Sequence, residues 1–321
     1  MQIEVITHTP KNSLKGNRIT AQRWTRYLRQ LGHKVTISQN FRKNNCDLMI
    51  ALHASHTFPA IEEFHKNCPG KPIVVLLTGT DIHKDIHTNP NVRKSLEYAD
   101  RLILLQPLGI RELPVEFHRK VRVIVQSAEK LNGNIQKRKR TFDVSVIGHL
   151  RKVKDPFITA YAVRNLPDES QIRVLHVGDV LEPEMRSIAL QEMANNSRYF
   201  WLGKKPRWQT LIILARSRVV VLSSLMEGGP SVLSEAVVAG VPILASRISA
   251  TLGLLGEDYP GFFEVGDTSA LSKLLYKTET DPQFMAALKQ KINLLADKFD
   301  PSVEKLSLKK LLKEWNSENQ N

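Results

Sequence analysis

Short apolar runs alternate with amphipathic stretches in the first part of the chain. The runs are rich in valine, isoleucine and leucine, which is typical of strands buried on both faces of a parallel sheet. They predict strands at residues 3–7, 34–38, 47–52, 73–77, 101–105 and 121–125. Apolar positions at helical spacing predict helices at residues 18–31, 58–67, 92–99 and 108–117. Strands and helices in alternation predict a doubly wound α/β sheet.

The alternation stops at residues 129–141, which are almost free of apolar side chains and predict an interdomain linker. It then starts again, with strands predicted at residues 143–147, 173–177, 199–202, 219–222 and 242–245 and helices at 156–165, 183–195, 207–216, 232–239, 268–278 and 282–298. Asp300 and Pro301 open a tail helix, as N-cap and first helical residue. The predicted layout is a first domain at residues 1–128, a linker at 129–141, a second domain at 142–300 and a C-terminal helix in 301–321. Because open parallel sheets bind ligands at the carboxyl ends of their strands, we expect a cleft between the two domains.

Composition favours a globular, cytoplasmic, two-domain protein. The chain has 321 residues, of which 42% are hydrophobic and 24% charged, and this length exceeds that of a usual single core. Two cysteines give neither a disulfide framework nor metal-ligand spacing. No apolar run approaches the length of a membrane span, and no signal-peptide layout precedes the first strand.

Positive charge is concentrated near the N-terminus. The net charge is +14, and residues 11–43 carry nine lysines and arginines without an acidic residue. Such a field attracts anions. We find no nucleic-acid-binding motif and no aromatic residues interleaved with the basic ones, so small anionic substrates are favoured over nucleic acid. A solvated basic face remains the alternative for Arg23, Arg29 and Arg42.

The segment from Ser223 to Ala236 combines a strand end, two glycines and a helix start. Glu227 precedes Gly228-Gly229, and Glu235 follows Glu227 by eight positions. Backbone N–H groups at a helix N-terminus bind phosphate, and Ser231 adds a hydroxyl there. Carboxylates on either side can hold sugar hydroxyls, so the pattern indicates a nucleotide-sugar site. Alternatively, Glu227 caps the helix and Glu235 is a surface charge.

A glycine and two cations follow the first strand of the second domain. Gly148 lets a ligand approach the backbone, while Arg151 and Lys154 offer a guanidinium fork and a point charge suited to a diphosphate. Such cations can stabilise charge on a leaving nucleotide. A basic surface loop is the alternative.

Polar residues also follow two strands of the first domain, and we predict that they bind an anionic acceptor. They are Lys15, Gly16, Asn17, Arg18, Thr78, Thr80 and Asp81. Asp81 is either a base or orienting group or the cap of the next turn. His53 and His83 share this edge, as site residues or as structural histidines. The absence of a G-x-G-x-x-G loop disfavours a dinucleotide.

Several segments together resemble the selenosugar synthase family of selenoneine biosynthesis, a branch of the family-4-type glycosyltransferases with the E-x7-E motif. They are residues 14–21 with 23–24, 77–81, 105–109, 147–151 with 153–157, 226–229 and 254–261. The resemblance implies the GT-B fold, in which two Rossmann-like domains face a cleft and a tail helix packs back on the first domain. It implies transfer of an N-acetylglucosamine unit from a UDP donor to selenophosphate, which forms a carbon–selenium bond.

The resemblance also implies roles for individual residues. Arg151, Lys154 and Glu227 would be catalytic, and the donor would contact Gly148, Leu202, Gly203, Gly228, Gly229, Ser231 and Glu235. No metal or other cofactor is expected, and the partners would be the UDP-sugar, selenophosphate and the other enzymes of the pathway. No stable membrane insertion is expected.

One departure from the family pattern concerns the donor loop. The family has Ala-Asn after the two glycines, whereas this chain has Pro230-Ser231, which removes one N–H donor. The alternatives are a family-4 transferase with a sugar-hydroxyl or thiol acceptor and a non-enzymatic module that binds nucleotides or nucleic acid.

Overall fold

The computed structural model describes residues 1–13, 16–42, 45–131, 133, 135–138 and 140–316. The chain forms two compact units. The first consists of Met1–Ser127, the short segment Glu227–Gly229 and the tail from Pro301. The second consists of Ala128–Met226 and Pro230–Asp300.

Each unit contains one six-stranded sheet in which all strand pairs are parallel. The first sheet has the order β2-β1-β3-β4-β5-β6 and consists of Gln2–Thr7 (β1), Lys34–Ser38 (β2), Leu48–Leu52 (β3), Ile73–Leu76 (β4), Arg101–Leu104 (β5) and Val121–Val123 (β6). The second has the order β12-β11-β10-β7-β8-β9 and consists of Phe142–Ile147 (β7), Ile172–Val177 (β8), Tyr199–Trp201 (β9), Val219–Leu222 (β10), Ile243–Ser246 (β11) and Phe262–Phe263 (β12).

Helices pack on both faces of each sheet, as expected when every residue of β3, β4, β10 and β11 is buried. In the first unit they are Gly16–Gln30 (α1), Phe58–Asn67 (α2), Ile86–Thr88 (α3), Pro90–Tyr98 (α4) and the tail helix Pro301–Asn316 (α12). In the second unit they are Ile158–Val163 (α5), Met185–Asn195 (α6), Arg207–Arg216 (α7), Ser231–Val238 (α8), Ser249–Leu255 (α9), Thr268–Thr280 (α10) and Pro282–Leu295 (α11). The predicted α/β class with parallel sheets is confirmed.

The sequence prediction misassigned one helix and missed several short elements. The helix predicted at residues 108–117 is two 3-10 turns, Pro107–Glu112 and Val115–Lys120. Pro114 separates them, because proline lacks the N–H that a continuous helix needs and disfavours helical geometry in the residue before it. Three short elements were not predicted: helices α3 and α9 and the two-residue edge strand β12. Short elements carry little periodic signal.

The tail helix α12 is joined to the first unit through a buried carboxylate. Glu304 is 1% exposed and accepts hydrogen bonds from the Trp24 indole N–H (2.7 Å), from Arg23 Nε (2.9 Å) and from the backbone N–H of Ser127 (2.8 Å). Arg23 is therefore the partner of a buried acid, not part of a solvated basic face. Arg29 lies in α1, as Arg23 does, and donates to the carbonyl of Val35.

Candidate active site

Three glycines bring the carboxyl ends of β7, β8 and β9 together in the second unit. A Cβ atom on Gly178 would lie 1.8 Å from the carbonyl oxygen of Gly148, so only glycine fits there. The N–H of Gly178 donates to the carbonyl of Gly203 (3.1 Å), and Gly203 has a φ of +67°, a conformation that glycine adopts without strain. Two predicted donor-binding positions, Gly148 and Gly203, thus both contact Gly178. Leu202, a third predicted donor-binding residue, is half-buried, and its backbone N–H donates to the carbonyl oxygen of His176 (2.8 Å).

A buried histidine also holds the Gly148 loop. His176 Nε2 lies 3.0 Å from the carbonyl oxygen of Gly148, and Nδ1 lies 2.8 Å from the hydroxyl of Tyr199. A carbonyl only accepts, so Nε2 carries the proton and Nδ1 accepts from Tyr199. Burial lowers the pKa of His176 from 6.5 to about 4, which keeps the ring neutral and in this one tautomer.

We expect the stability of the chain to fall on acidification because of His176. Its folded pKa is below its unfolded pKa, so between about pH 6.5 and about pH 4 the unfolded state binds more protons than the folded state. The free energy of unfolding should lose about 2 kcal/mol from this group between about pH 7.5 and about pH 5. Urea unfolding at both pH values measures the loss. A His176→Gln variant should lack this component, and an identical pH slope in the variant would contradict the assignment.

The two predicted cations lie on a loop tied to the end of β10. Arg151 precedes the 3-10 turn Lys152–Lys154, and both Arg151 and Lys154 are half-buried. The Ser223 hydroxyl donates to the carbonyl of Lys154 (3.0 Å), and the N–H of Leu225 donates to the carbonyl of Val153 (2.9 Å). These bonds hold the backbone of the loop that carries the two cations against residues 223–225, which lead to Glu227.

Glu235 is buried, which excludes the surface-charge interpretation. It lies in α8 and is 7% exposed, and its Oε1 is 2.8 Å from the guanidinium of Arg207 at the start of α7. Ser231, the first residue of α8, is half-buried. Arg207 was not singled out from the sequence, because 28 positions separate the two partners and only tertiary packing joins them.

The predicted Glu227–Gly229 loop makes close contacts within the first unit. A Cβ on Gly228 would lie 2.4 Å from the carbonyl carbon of Thr78, and one on Gly229 would lie 2.4 Å from Leu105 Cβ, so both positions require glycine. His83 Nε2 lies 2.9 Å from the carbonyl oxygen of Glu227. Glu227 therefore does not act simply as a helix cap, since α8 begins later, at Ser231.

The acceptor-side residues gather at the carboxyl edge of the first sheet. Helix α1 begins at Gly16, and the Asn17 side-chain amide donates to Thr78 Oγ1 (3.3 Å). Arg18 is only 8% exposed, and its Nε has no hydrogen-bond partner among the described residues. A buried, under-bonded guanidinium at a helix start is suited to an anion. Lys15 lies outside the described residues.

Asp81 is engaged by the backbone rather than directed at a ligand. Its buried carboxylate accepts from the N–H groups of Thr78 (2.9 Å), Gly79 (2.8 Å) and Ala54 (3.0 Å). It thus holds the loop after β4 against the loop after β3. Of the roles left open by the sequence, these contacts fit those of cap and orienting group for Asp81. Thr80 Oγ1 lies 2.9 Å from His53 Nε2.

The described part of the chain contains neither a metal-binding cluster of side chains nor a membrane-spanning helix. No group of three or more His, Cys, Asp or Glu side chains there is placed to hold a metal ion. No described helix is long and apolar enough to cross a membrane.

The chain thus contains two Rossmann-like units, each built on one parallel six-stranded sheet. The family model for glycosyl transferases group 1 matches residues 127–293, about half of the chain. The protein is therefore a member of the group 1 glycosyltransferase family.

Solved structures of very different sequence share its fold. HepE from Anabaena, in complex with UDP and glucose, is 17% identical with a TM-score of 0.76 and matches 98% of this chain and 100% of its own. Sucrose-phosphate synthase from Thermosynechococcus elongatus is 14% identical with a TM-score of 0.77, over 98% and 99% of the two chains. A UDP-forming α,α-trehalose-phosphate synthase from Burkholderia xenovorans, in complex with glucose-6-phosphate, is 11% identical with a TM-score of 0.65, over 94% and 79%. These likenesses confirm the predicted GT-B fold.

Proposed function

We propose that the protein transfers a sugar, N-acetylglucosamine, from its UDP donor to selenophosphate and so makes a selenosugar for selenoneine biosynthesis. The observation that carries the donor half is the arrangement in the second unit. There the loop with Arg151 and Lys154 follows Gly148 at the carboxyl end of β7. The buried carboxylate of Glu235 lies on α8, the helix after Gly228-Gly229. HepE, which shares the fold, was solved with UDP, and this supports a UDP-sugar donor.

A phosphate-bearing acceptor is supported by the first unit. Arg18 is buried at the start of α1 beside Asn17, and it offers a cation and N–H donors to an anion. The trehalose-phosphate synthase that shares the fold was solved with a sugar phosphate. Selenium itself is proposed from the resemblance of the sequence motifs.

The engagement of Asp81 also fits an acceptor of this kind. A sugar hydroxyl must lose a proton as it attacks, so a general base assists it. The selenium of selenophosphate is already ionised and needs no such base. The carboxylate considered for that task is bonded to three backbone N–H groups, which leaves it ill placed to take a proton.

The deciding experiment is the mass of the product. Purified protein is incubated with UDP-N-acetylglucosamine and selenophosphate, with thiophosphate and a set of sugar acceptors in parallel reactions. We expect a product with the mass of the selenosugar phosphate and release of UDP. Transfer only to a sugar hydroxyl, or only to the sulfur compound, would contradict the proposed acceptor. Cytoplasmic location, independence of metals and contacts with other pathway enzymes stay predictions.

We expect Glu235 to hold the ribose hydroxyls of the donor. Its carboxylate lies about one turn into α8, the helix that follows the Gly-Gly loop, and its loss should leave those hydroxyls unpaired. Glu235→Ala should weaken UDP binding by about 1–3 kcal/mol, as measured by calorimetry. Glu184→Ala, an exposed position of the same unit, is the matched control. Unchanged UDP affinity in a folded Glu235 variant would overturn this role.

A further inference from the structure

Three histidines from two loops pack ring against ring at the carboxyl edge of the first sheet. The ring centroids of His53 and His56 are 4.2 Å apart, those of His8 and His56 are 4.3 Å apart, and those of His8 and His53 are 5.7 Å apart. His8 follows β1 and the other two follow β3, which are neighbours in the sheet. The cluster runs from the surface inward, since His56 is exposed, His8 half-buried and His53 buried.

The innermost ring is fixed in orientation. His53 Nδ1 accepts a hydrogen bond from the backbone N–H of His56 (3.3 Å), so the proton of the neutral ring is on Nε2. Nε2–H then donates to Thr80 Oγ1 (2.9 Å). Because Thr80 accepts this bond, its own hydroxyl hydrogen can be donated to a ligand. His53 also has a φ of +84°, a strained conformation for a residue with a side chain and one that concentrates at functional sites.

The cluster is suited to an oxyanion. Imidazole N–H groups and a hydroxyl are hydrogen-bond donors, and a bound dianion offsets the repulsion that would arise if neighbouring rings were protonated. The nearest carboxylate of the adjoining loop is Asp81, whose Oδ2 lies 4.0 Å from His53 Nδ1 and which is engaged by backbone N–H groups. A metal is disfavoured, because no described group of three such side chains has a metal-binding arrangement.

We propose that His8, His56 and the Thr80 hydroxyl bind the phosphate group of the acceptor, with His53 as the positioning residue that orients Thr80. This inference rests on the proposed function, since it names the acceptor subsite. Thr80 lies two positions after Thr78, which accepts from Asn17 at the start of α1. The histidine cluster and the Arg18 region therefore belong to the same edge of one unit.

The test uses the full chain with inorganic phosphate as probe, and then selenophosphate as substrate. His56→Gln and His8→Gln each keep a polar side chain but remove a chargeable ring. We expect each to weaken phosphate binding about tenfold or more, the effect of losing a hydrogen bond to a charged group, and to raise KM for selenophosphate by a similar factor. UDP affinity should not change. His87→Gln, an exposed position of the same unit, is the matched control and should behave as the parent.

The outcomes separate this inference from the proposed function. If the parent protein makes the selenosugar and both variants keep the parent's phosphate affinity and KM, the subsite assignment is wrong while the function stands. If the variants lose phosphate affinity but neither the parent protein nor a variant makes a selenosugar, the anion subsite stands and the proposed acceptor is wrong. His56 is exposed, so its variant remains informative even if His8→Gln does not fold. Resonances of the imidazole ring nitrogens that fail to move on phosphate addition would also overturn the subsite.

Discussion

Replacing Arg151 or Lys154 by alanine is expected to lower kcat by about 10²–10³, the loss seen when one preorganised charge stabiliser is removed. Negative charge builds on the diphosphate as the sugar leaves, and both cations are carried by a loop that Ser223 and Leu225 fix in place. Because these hydrogen bonds hold the loop backbone before the reaction, we expect the cations to act more strongly in the transition state than in the ground state. Steady-state kinetics with the UDP-sugar measures the effect.

The matched control is Lys152→Ala. Lys152 belongs to the same 3-10 turn but is exposed, and its variant should retain the parent's kcat. A rise in KM at constant kcat in the Arg151 or Lys154 variant would mean that the cations bind ground state and transition state equally, and would contradict the proposed role.

Replacing Glu304 by alanine is expected to lower the free energy of unfolding by about 3–5 kcal/mol, the cost of removing one partner of a buried ion pair. The Arg23 side chain is only 9% exposed and its Nε lies 2.9 Å from Glu304, so its charge would stay buried without a counterion. The indole N–H of Trp24 and the backbone N–H of Ser127 would lose their acceptor too. Urea unfolding followed by circular dichroism measures the change.

Lys309→Ala, at an exposed position of the same helix, is the control and should change the stability by less than about 0.5 kcal/mol. Replacing Trp24 and Glu304 together should lower the free energy of unfolding by less than the sum of the two single replacements, because the residues share a hydrogen bond. Additive single losses would show that the tail helix is held by other contacts.

The strands were predictable because parallel strands buried on both faces are continuous apolar runs. The predicted strand at residues 219–222 coincides with β10, and that at 34–38 coincides with β2. The ends of the other predicted strands differ from the structure by one or two residues, because hydrogen bonding and not hydrophobicity decides where a strand ends. The helix predicted at residues 108–117 was wrong because its apolar pattern continues through Pro114. Proline has no N–H to donate, so the structure forms two separate 3-10 turns there.

The loops of the site were predictable for a related reason. Residues that directly follow parallel strands must gather at one edge of the sheet, so Gly148, Thr78 and their neighbours could be placed from order alone. Their individual roles could not. For both Asp81 and Glu235 the sequence left a site role and a structural role open. In the structure, Asp81 accepts hydrogen bonds from backbone N–H groups, whereas Glu235 forms an ion pair with Arg207.

The sequence by itself determined the α/β class, the parallel strands and the loops from which a glycosyltransferase site is built, since these follow from local periodicity and from the order of glycines and charges. Only the tertiary structure decided which polar groups meet. The three histidines come from two separate loops, and Glu304 meets Arg23 across 281 positions of the chain. Such pairings depend on how strands are ordered in a sheet and how helices pack on it, and the local pattern of residues does not contain that information.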